Sequence, residues 1–346
     1  MSRPGPLDER IGLVHGAGGR AMRELIEQVC VAGLGPDARP GGIGLTAMDD
    51  GAAIRVGDRW MILTTDSHVV QPIFFPGGDI GRLAVSGTVN DLAVMGATDV
   101  TALTCAVIVE EGFPRADLER VYASIRRACE EAGAAIVTGD TKVMGRGEID
   151  GLVLNTAGVA FCDRPVPDAG LSTGDLLLVT GTVGEHGMAV VAARHDLALE
   201  GDLRSDVAPL NGLIRAALDA GGAAITAMKD PTRGGVSSAL HEMAQKARVG
   251  IVLEDASVPV SPSVRSAADL LGLDPLAMAC EGRAIIGVRP ERADEVLAAL
   301  RAHPLGRRAA RIGRCIGAHA GSVILDTGFG RRLLAEPEGE PLPRIC

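Results

Sequence analysis

Four acidic strings in the first half of the chain could do chemistry together. They are Asp49-Asp50-Gly51-Ala52, Thr64-Thr65-Asp66, Asn90-Asp91 followed by Met95-Gly96-Ala97, and Gly139-Asp140-Thr141-Lys142. Each stands beside an expected strand or helix end, and strand ends are where α/β folds bind ligands. Carboxylates gathered there without matching bases would repel one another. A divalent cation bridging them to phosphate removes that cost, and Mg²⁺ is the usual ion. Lys142 is of the right type to neutralise phosphate charge. Asp and Gly are also ordinary turn residues, which suffices for any one string. Four in one half of a chain point instead to a bound metal and nucleotide. No Walker-type phosphate-loop string is present, so an ordinary P-loop is excluded.

Other residues carry weaker signals. His15-Gly16-Ala17-Gly18-Gly19-Arg20 precedes a helical pattern, and its backbone N–H groups could hold an anion. A plain flexible loop would look the same. Lys229-Asp230-Pro231-Thr232-Arg233-Gly234-Gly235-Val236 enters a helix, with Thr232 as an expected N-cap. Arg233 offers a donor fork suited to phosphate, although a well-capped helix start needs no ligand. Glu281, ahead of a strand, is a candidate general base, or else a surface carboxylate. His68 and His186 stand near turns and are read as structural imidazoles. Cys346 is the last residue; a thiol on a mobile arm suggests covalent carriage of a substrate.

The elements that must position these groups alternate between helical and strand patterns. Met22, Leu25, Ile26 and Val29 share one face of a helix over 20–32. Helices are also expected over 79–95 and over 115–132, the latter stopped by Gly133. Gly81 and Gly87 weaken the helix over 79–95. Trp60 to Thr64 reads as a buried strand, and Ala102–Val109, Ala135–Val137 and Leu152–Val159 as further strands. Arg164-Pro165-Val166-Pro167 is a break. After it come a strand at Leu176–Val179 and helices near 207–220, 234–247, 263–271 and 291–302. Strands near 250–254, 284–288 and 322–325 lie between them. The fold class is α/β (α+β), with one domain over 1–164 and a second α/β domain over 168–328. Residues 329–346 are rich in Pro, Glu and Gly and read as a flexible tail, whose stretch from Gly330 to Cys346 reaches at most about 50 Å when extended.

Composition excludes several function classes. The net charge is −10 and aromatics make up 2% of residues, which disfavours nucleic acid as a partner. No apolar run is long enough to span a membrane. The seven Cys are odd in number and lack C-x-x-C spacing, and residues 1–10 do not resemble a secretory leader. Reduced thiols in the cytoplasm, without zinc, are the expectation.

Read in order, these strings resemble a known family. To them are added Phe74-Phe75-Pro76-Gly77-Gly78-Asp79-Ile80-Gly81 and the terminal Pro343-Arg344-Ile345-Cys346. The chain is similar over nearly its whole length to the HypE carbamoyl dehydratases of nickel–iron hydrogenase maturation. The acidic strings alone are shared with the wider aminoimidazole-ribonucleotide-synthetase superfamily; the terminal Arg-Ile-Cys is the specific part. The resemblance implies a two-domain fold of that superfamily, a homodimer paired through N-terminal strands, and ATP and Mg²⁺ as cofactors. It implies carbamoyl loading of Cys346 by HypF, ATP-dependent dehydration to a thiocyanate, and transfer through HypC–HypD. By likeness, Asp50, Asp66 and Asp91 hold metal, and Cys346, Lys142 and Glu281 are catalytic. Asn90, Asp140, Thr141, Lys142, Arg233, Gly234 and Gly235 would join the three aspartates around the nucleotide. The family often has Asn where this chain has Cys280. Thiamine-monophosphate kinase and selenophosphate synthetase are rivals within the superfamily. The latter needs a reactive residue near the N-terminus, whereas the first Cys here is Cys30, in mid-helix. A non-catalytic scaffold would not need the Asp, Lys and Glu set.

Overall fold

The computed structural model describes residues 10–35, 41–197, 202–338 and 345–346. The chain enters through α1 (Gly19–Leu25), a π-helical stretch (Ile26–Val31) and a last turn, α2 (Ala32–Leu34). On the apolar face of this segment Met22, Leu25 and Ile26 are half-buried and Val29 is 59% exposed. Then come β1 (Ala52–Val56) and β2 (Arg59–His68), a small hairpin of β3 (Phe74–Phe75) and β4 (Gly78–Asp79), and α3 (Ile80–Val94). Next are β5 (Val100–Glu110), α4 (Arg115–Ala132), β6 (Ile136–Met144) and β7 (Leu152–Cys162). Five of these strands form one sheet in the order β1-β2-β7-β5-β6, parallel only between β5 and β6.

The helices of this half start and stop for local reasons. The Asp79 carboxylate caps α3 by accepting from the backbone N–H of Gly81 and Arg82. Gly133 takes the left-handed conformation that ends α4. Almost all of α3 is buried, with Ile80, Leu83, Val89 and Leu92 shut off from solvent. Each such side chain contributes about 1.5–3 kcal/mol through burial. Trp60 to Thr64 is only half-buried: Ile62 and Thr64 face inward while Leu63 faces out, the alternation of a one-sided sheet. Gly139-Asp140-Thr141-Lys142 is not a turn at a strand end. It lies inside β6, on the sheet's edge, and is exposed.

The second half supplies β8 (Leu176–Val179), α5 (Glu185–Arg194), α6 (Asn211–Gly221), β9 (Ile225–Lys229), α7 (Gly235–Ala247) and β10 (Gly250–Glu254). It continues through α8 (Pro262–Leu271), β11 (Ile285–Val288), α9 (Pro290–Ala302), β12 (Ala310–Ile316), β13 (Val323–Asp326) and β14 (Arg331–Leu333). Its sheet runs β14-β13-β10-β12-β8-β11-β9. The sequence pattern had not suggested α5, β9, β12 or β14. Thr232 does not cap α7; Gly234, at φ 78°, holds the N-cap position without a side-chain bond.

The two halves share a core. Met188, Val207, Met278 and Ile345 pack into the cluster centred on α3 and the first sheet. Ala93 and Val94, from the end of α3, pack into a cluster of the second half.

The arm expected to be loose from residue 329 is docked over its first part. β14 pairs with β13, and Leu334 is buried. The Arg23 guanidinium forks onto both oxygens of Glu336, at 2.5 and 3.1 Å. The backbone N–H groups of Arg20 and Ala21 donate to the carbonyls of Pro337 and Glu338. This helix N-terminus therefore caps itself on the arm and does not hold an anion there. Residues 339–344, including Pro343 and Arg344 of the terminal string, lie outside the described residues.

Candidate active site

A cavity of about 460 Å³ opens between the two halves, within the range of small-molecule sites. Three walls build it. The first half contributes Asp49 and Asp50 from the loop before β1, Thr64, Asp66 and His68 from β2, and Asp91 from α3. The second half contributes Lys229, Asp230, Arg233, Gly235, Glu242 and Glu281. The N-terminal helix closes one side with Gly18, Gly19, Met22 and Arg23, and Cys346 completes the lining.

The first wall depends on a close approach of α3 to β2. A Cβ at Gly87 would lie 2.9 Å from Asp66 Oδ2 and 2.9 Å from His68 Cε1. Only glycine lets the helix sit this tightly on those two side chains. His68 Nε2 is 3.2 Å from Asp66 Oδ2. Burial lowers the His68 pKa, against the pull of Asp66, so the imidazole favours its neutral form. The Thr64 hydroxyl lies 2.7 Å from Asp91 Oδ2 and 3.0 Å from the Asp50 carbonyl, tying α3 to the β1 entry.

Behind Asp50 stands a buried cation. Lys229 Nζ is 2.5 Å from Asp50 Oδ1, 3.3 Å from Glu242 and 3.5 Å from Asp168. Lys246 Nζ reaches Asp168 at 2.6 Å. Burial works against the Lys229 charge, but the surrounding carboxylates outweigh it and raise its pKa well above the ordinary value. The ammonium is thus fixed as a permanent positive charge across the domain junction.

The remaining carboxyls are under strain of like charge. Burial first, then Asp230, Asp66 and Asp50, raises Asp91 well above its usual range. Burial, Asp230 and Asp66 do the same to Glu281. Asp230 is raised by burial and Asp50, and Asp49 is pushed up to about 7 by burial and Asp168. Asp50 Oδ2, Asp230 Oδ2 and Glu281 Oε1 are buried without a hydrogen-bond partner. Orphaned acceptors of this kind suit a cation, and their charge excess calls for one. Among the described residues no three His, Cys, Asp or Glu side chains form a ready cage for an ion. The residues fit a cation that takes the rest of its shell from phosphate oxygens and water.

Asp50, Asp66, Asp91, Arg233, Gly235, Glu281 and Cys346 thus share one cavity. Glu281 is no surface carboxylate; it is 3% exposed. Asn90 is not on the wall. Its amide donates to the carbonyls of Ala208 and Glu281 and its oxygen accepts from Leu210 N–H, so it holds the Glu281 loop. Gly234 shapes the start of α7 just behind the lining. Asp140, Thr141 and Lys142 are not brought to this cavity within one chain. Asp140 and Thr141 line a separate surface hollow beside Tyr122, Cys105 and Cys129. Lys142 is 3.7 Å from Asp140, both largely exposed. Sequence reading gave no role to Lys229, Glu242, Lys246, Asp168 and Asp230, and named Asp49 only within its acidic string. Lys229 and Asp230 lay within the string leading to Arg233; nothing local marked Asp168, Glu242 or Lys246, whose partners are distant in the chain.

Comparison with known proteins agrees with this architecture. Residues 48–162 match the N-terminal domain of AIR synthase related proteins, and residues 172–326 their C-terminal domain. The chain is 45% identical to the carbamoyl dehydratase HypE of Rhizobium leguminosarum bv. viciae, over 97% of this chain and 95% of that protein. It is 43% identical to the carbamoyl dehydratase HypE of Escherichia coli (strain K12), over 97% and 99%. A crystal structure of a HypE–HypF complex superposes with a TM-score of 0.84 at 40% identity, covering 90% of this chain and 99% of that one. HypE in complex with ATP gives 0.79 at 40% identity, covering 96% and 99%. A ThiL structure at 19% identity, with a TM-score of 0.65, shares the fold. With its two AIR synthase-related domains and these full-length relatives, the chain belongs to the HypE carbamoyl dehydratases.

Proposed function

We propose that the chain dehydrates an S-carbamoyl group on its own Cys346 to S-cyanate at the expense of ATP, as a step in hydrogenase maturation. The observation that carries this reading is the place of Cys346: the last residue lines the same cavity as the acidic wall and Glu281. A relative solved with ATP, and relatives named carbamoyl dehydratase, support it.

The chemistry is one of activation. Amide oxygen is a poor leaving group until it is phosphorylated. The carbamoyl oxygen attacks the γ-phosphorus and ADP departs. Loss of the two N–H protons then forms the C≡N bond as the C–O bond breaks and phosphate leaves. Glu281, poised by burial to accept a proton, is the proposed base. Arg233 and the Gly235 end of α7 would face phosphate. Asp50, Asp66 and Asp91 would hold Mg²⁺ against the phosphates, and the ion would supply charge neutralisation. Lys229 keeps Asp50 in place by direct contact.

HypF is the proposed partner that loads the carbamoyl group onto Cys346, since a relative is solved in complex with it. HypC–HypD would receive the product, in the cytoplasm. Among the described residues no helix is long and apolar enough to cross a membrane. A homodimer would use the exposed edge of β6, where Val137 and Val143 are 63% and 70% exposed. Such pairing would put Asp140, Thr141 and Lys142 on the shared face, where Lys142 could serve phosphate or the carbamoyl oxygen. The test is the mass of the C-terminal peptide after incubation with HypF, a carbamoyl donor and ATP. Addition of a carbamoyl group followed by loss of one water is expected; a peptide that is loaded but never loses water overturns the reading.

A further inference from the structure

His186 lies outside the cavity lining, yet it touches the residue next to Cys346. It sits on α5 and is fully buried. Its ring stands edge-on to Phe75, with centroids 5.3 Å apart and planes at 89°. Nδ1 is 2.8 Å from Ser205 Oγ, and Nε2 is 2.8 Å from the carbonyl of Ile345. Ile345 is itself 2% exposed and belongs to the core cluster around α3, with Cys346 packed against it.

The hydrogen bonds fix the tautomer. The Ile345 carbonyl oxygen can only accept, so Nε2 must donate to it; Nδ1 then accepts from the Ser205 hydroxyl, whose oxygen also accepts from the Val207 N–H at 3.1 Å. The ring proton therefore belongs on Nε2. Burial pulls the imidazole down to about 4, with the Ile345 contact opposing, so the ring is neutral near pH 7. A neutral, singly protonated ring is a directional donor with no charge to solvate.

We propose that His186, oriented by Ser205 and backed by Phe75, is the receptor for the chain's own C-terminal dipeptide and sets Cys346 in the cavity. Its ligand class is an apolar residue followed by cysteine, held by the apolar residue's backbone carbonyl and buried side chain. His186 is a positioning residue: it acts through Ile345 and touches no reacting atom. The inference rests on Cys346 as carrier of the reacting group. The adjoining residue supports it. Asp206 accepts from the Glu281 N–H at 3.1 Å, and a Cβ at Gly282 would lie 1.8 Å from the Asp206 carbonyl. Residues 205 and 206 therefore fix the grip on the tail and the loop of the proposed base from one stretch of backbone.

The test uses the full chain as wild type, His186→Ala, His186→Gln and Ile345→Gly. Alkylation of Cys346 by iodoacetamide is followed by the mass of the C-terminal peptide, alongside ATP affinity and single-turnover dehydration after loading. His186→Ala and Ile345→Gly are expected to speed alkylation about tenfold, the equilibrium weight of one buried hydrogen bond, and to slow dehydration by a similar factor. ATP affinity and loading stay unchanged. Gln, which can still donate, restores most of both effects. Unchanged alkylation and dehydration in all variants overturn the receptor, as does a loss of ATP affinity in His186→Ala and Ile345→Gly alike. If the variants unmask Cys346 while even the wild type fails to dehydrate, the receptor stands and the reaction assigned to Cys346 falls.

Discussion

At the scale of single residues, the site separates proton acceptance from charge storage. Glu281 is buried, orphaned at Oε1, and surrounded by Asp230, Asp66 and Asp206. Replacing it by Gln keeps the shape and removes the acceptor. Glu281→Gln should lower single-turnover dehydration by about 10²–10⁴-fold, the usual worth of a general base. ATP affinity should hold, and the melting temperature should not fall, since a buried repulsive carboxylate is gone. A rate loss below tenfold would move the base to another residue of the cavity. Asp50, Asp66, Asp91, Arg233, Glu281 and Cys346 were legible in the sequence because strings of Asp, Gly and Arg beside element ends look like binding loops. Lys229 with its carboxylates was not. Asp50 and Lys229 stand 179 positions apart, and no local pattern reports a pairing that tertiary structure alone creates.

At the scale of elements, glycine placement decides how close the walls can come. The sequence made α3 doubtful because Gly81 and Gly87 lower helix propensity by about 1 kcal/mol each relative to Ala. Both are required by packing. A Cβ at Gly81 would lie 2.5 Å from the Val121 carbonyl of α4, and one at Gly87 would press on Asp66 and His68. Gly87→Ala should therefore destabilise the fold despite its better propensity, by about 1–3 kcal/mol through overpacking. It should also weaken ATP binding, because Asp66 is what moves. A raised melting point in thermal denaturation would refute this. Strong amphipathic elements such as α4 were legible to the residue, with Gly133 as the stop. α5 was not, because its Val, Ala, Met and Gly residues are buried all round and leave no periodic polar face. β6 runs on past Val137 through Gly139, Asp140, Thr141 and Lys142, where no apolar alternation marks a strand.

At the scale of the molecule, the arm's reach is set by where it stops being docked. Sequence composition gave a tether from residue 330 and an extended span of about 50 Å. Arg23 and Glu336 shorten it. Their side chains are 17% and 15% exposed, and the fork is bidentate, so this pair is screened less than a surface one. Arg20 adds a second, exposed contact to Glu338. Only residues 339–346 lie beyond the anchor, an extended reach of about 27 Å. An anchor this near the cavity raises the effective concentration of Cys346 at the site, and the two ends of the chain become one closing element. Glu336→Ala removes the fork and leaves the partly buried Arg23 with only the fields of Glu242 and Glu27. Docking of 334–338 should weaken by about 1–3 kcal/mol. The Arg20 and Ala21 amides report on it directly, because their hydrogens go to the Pro337 and Glu338 carbonyls. Their hydrogen exchange should quicken by about 10- to 100-fold while amides of β5 and β7 keep their protection. Unaltered exchange at Arg20 and Ala21 would mean that β14, Leu334 and the Ser237 bond to the Ala335 carbonyl hold the arm, with Arg23 and Glu336 contributing nothing to the pivot.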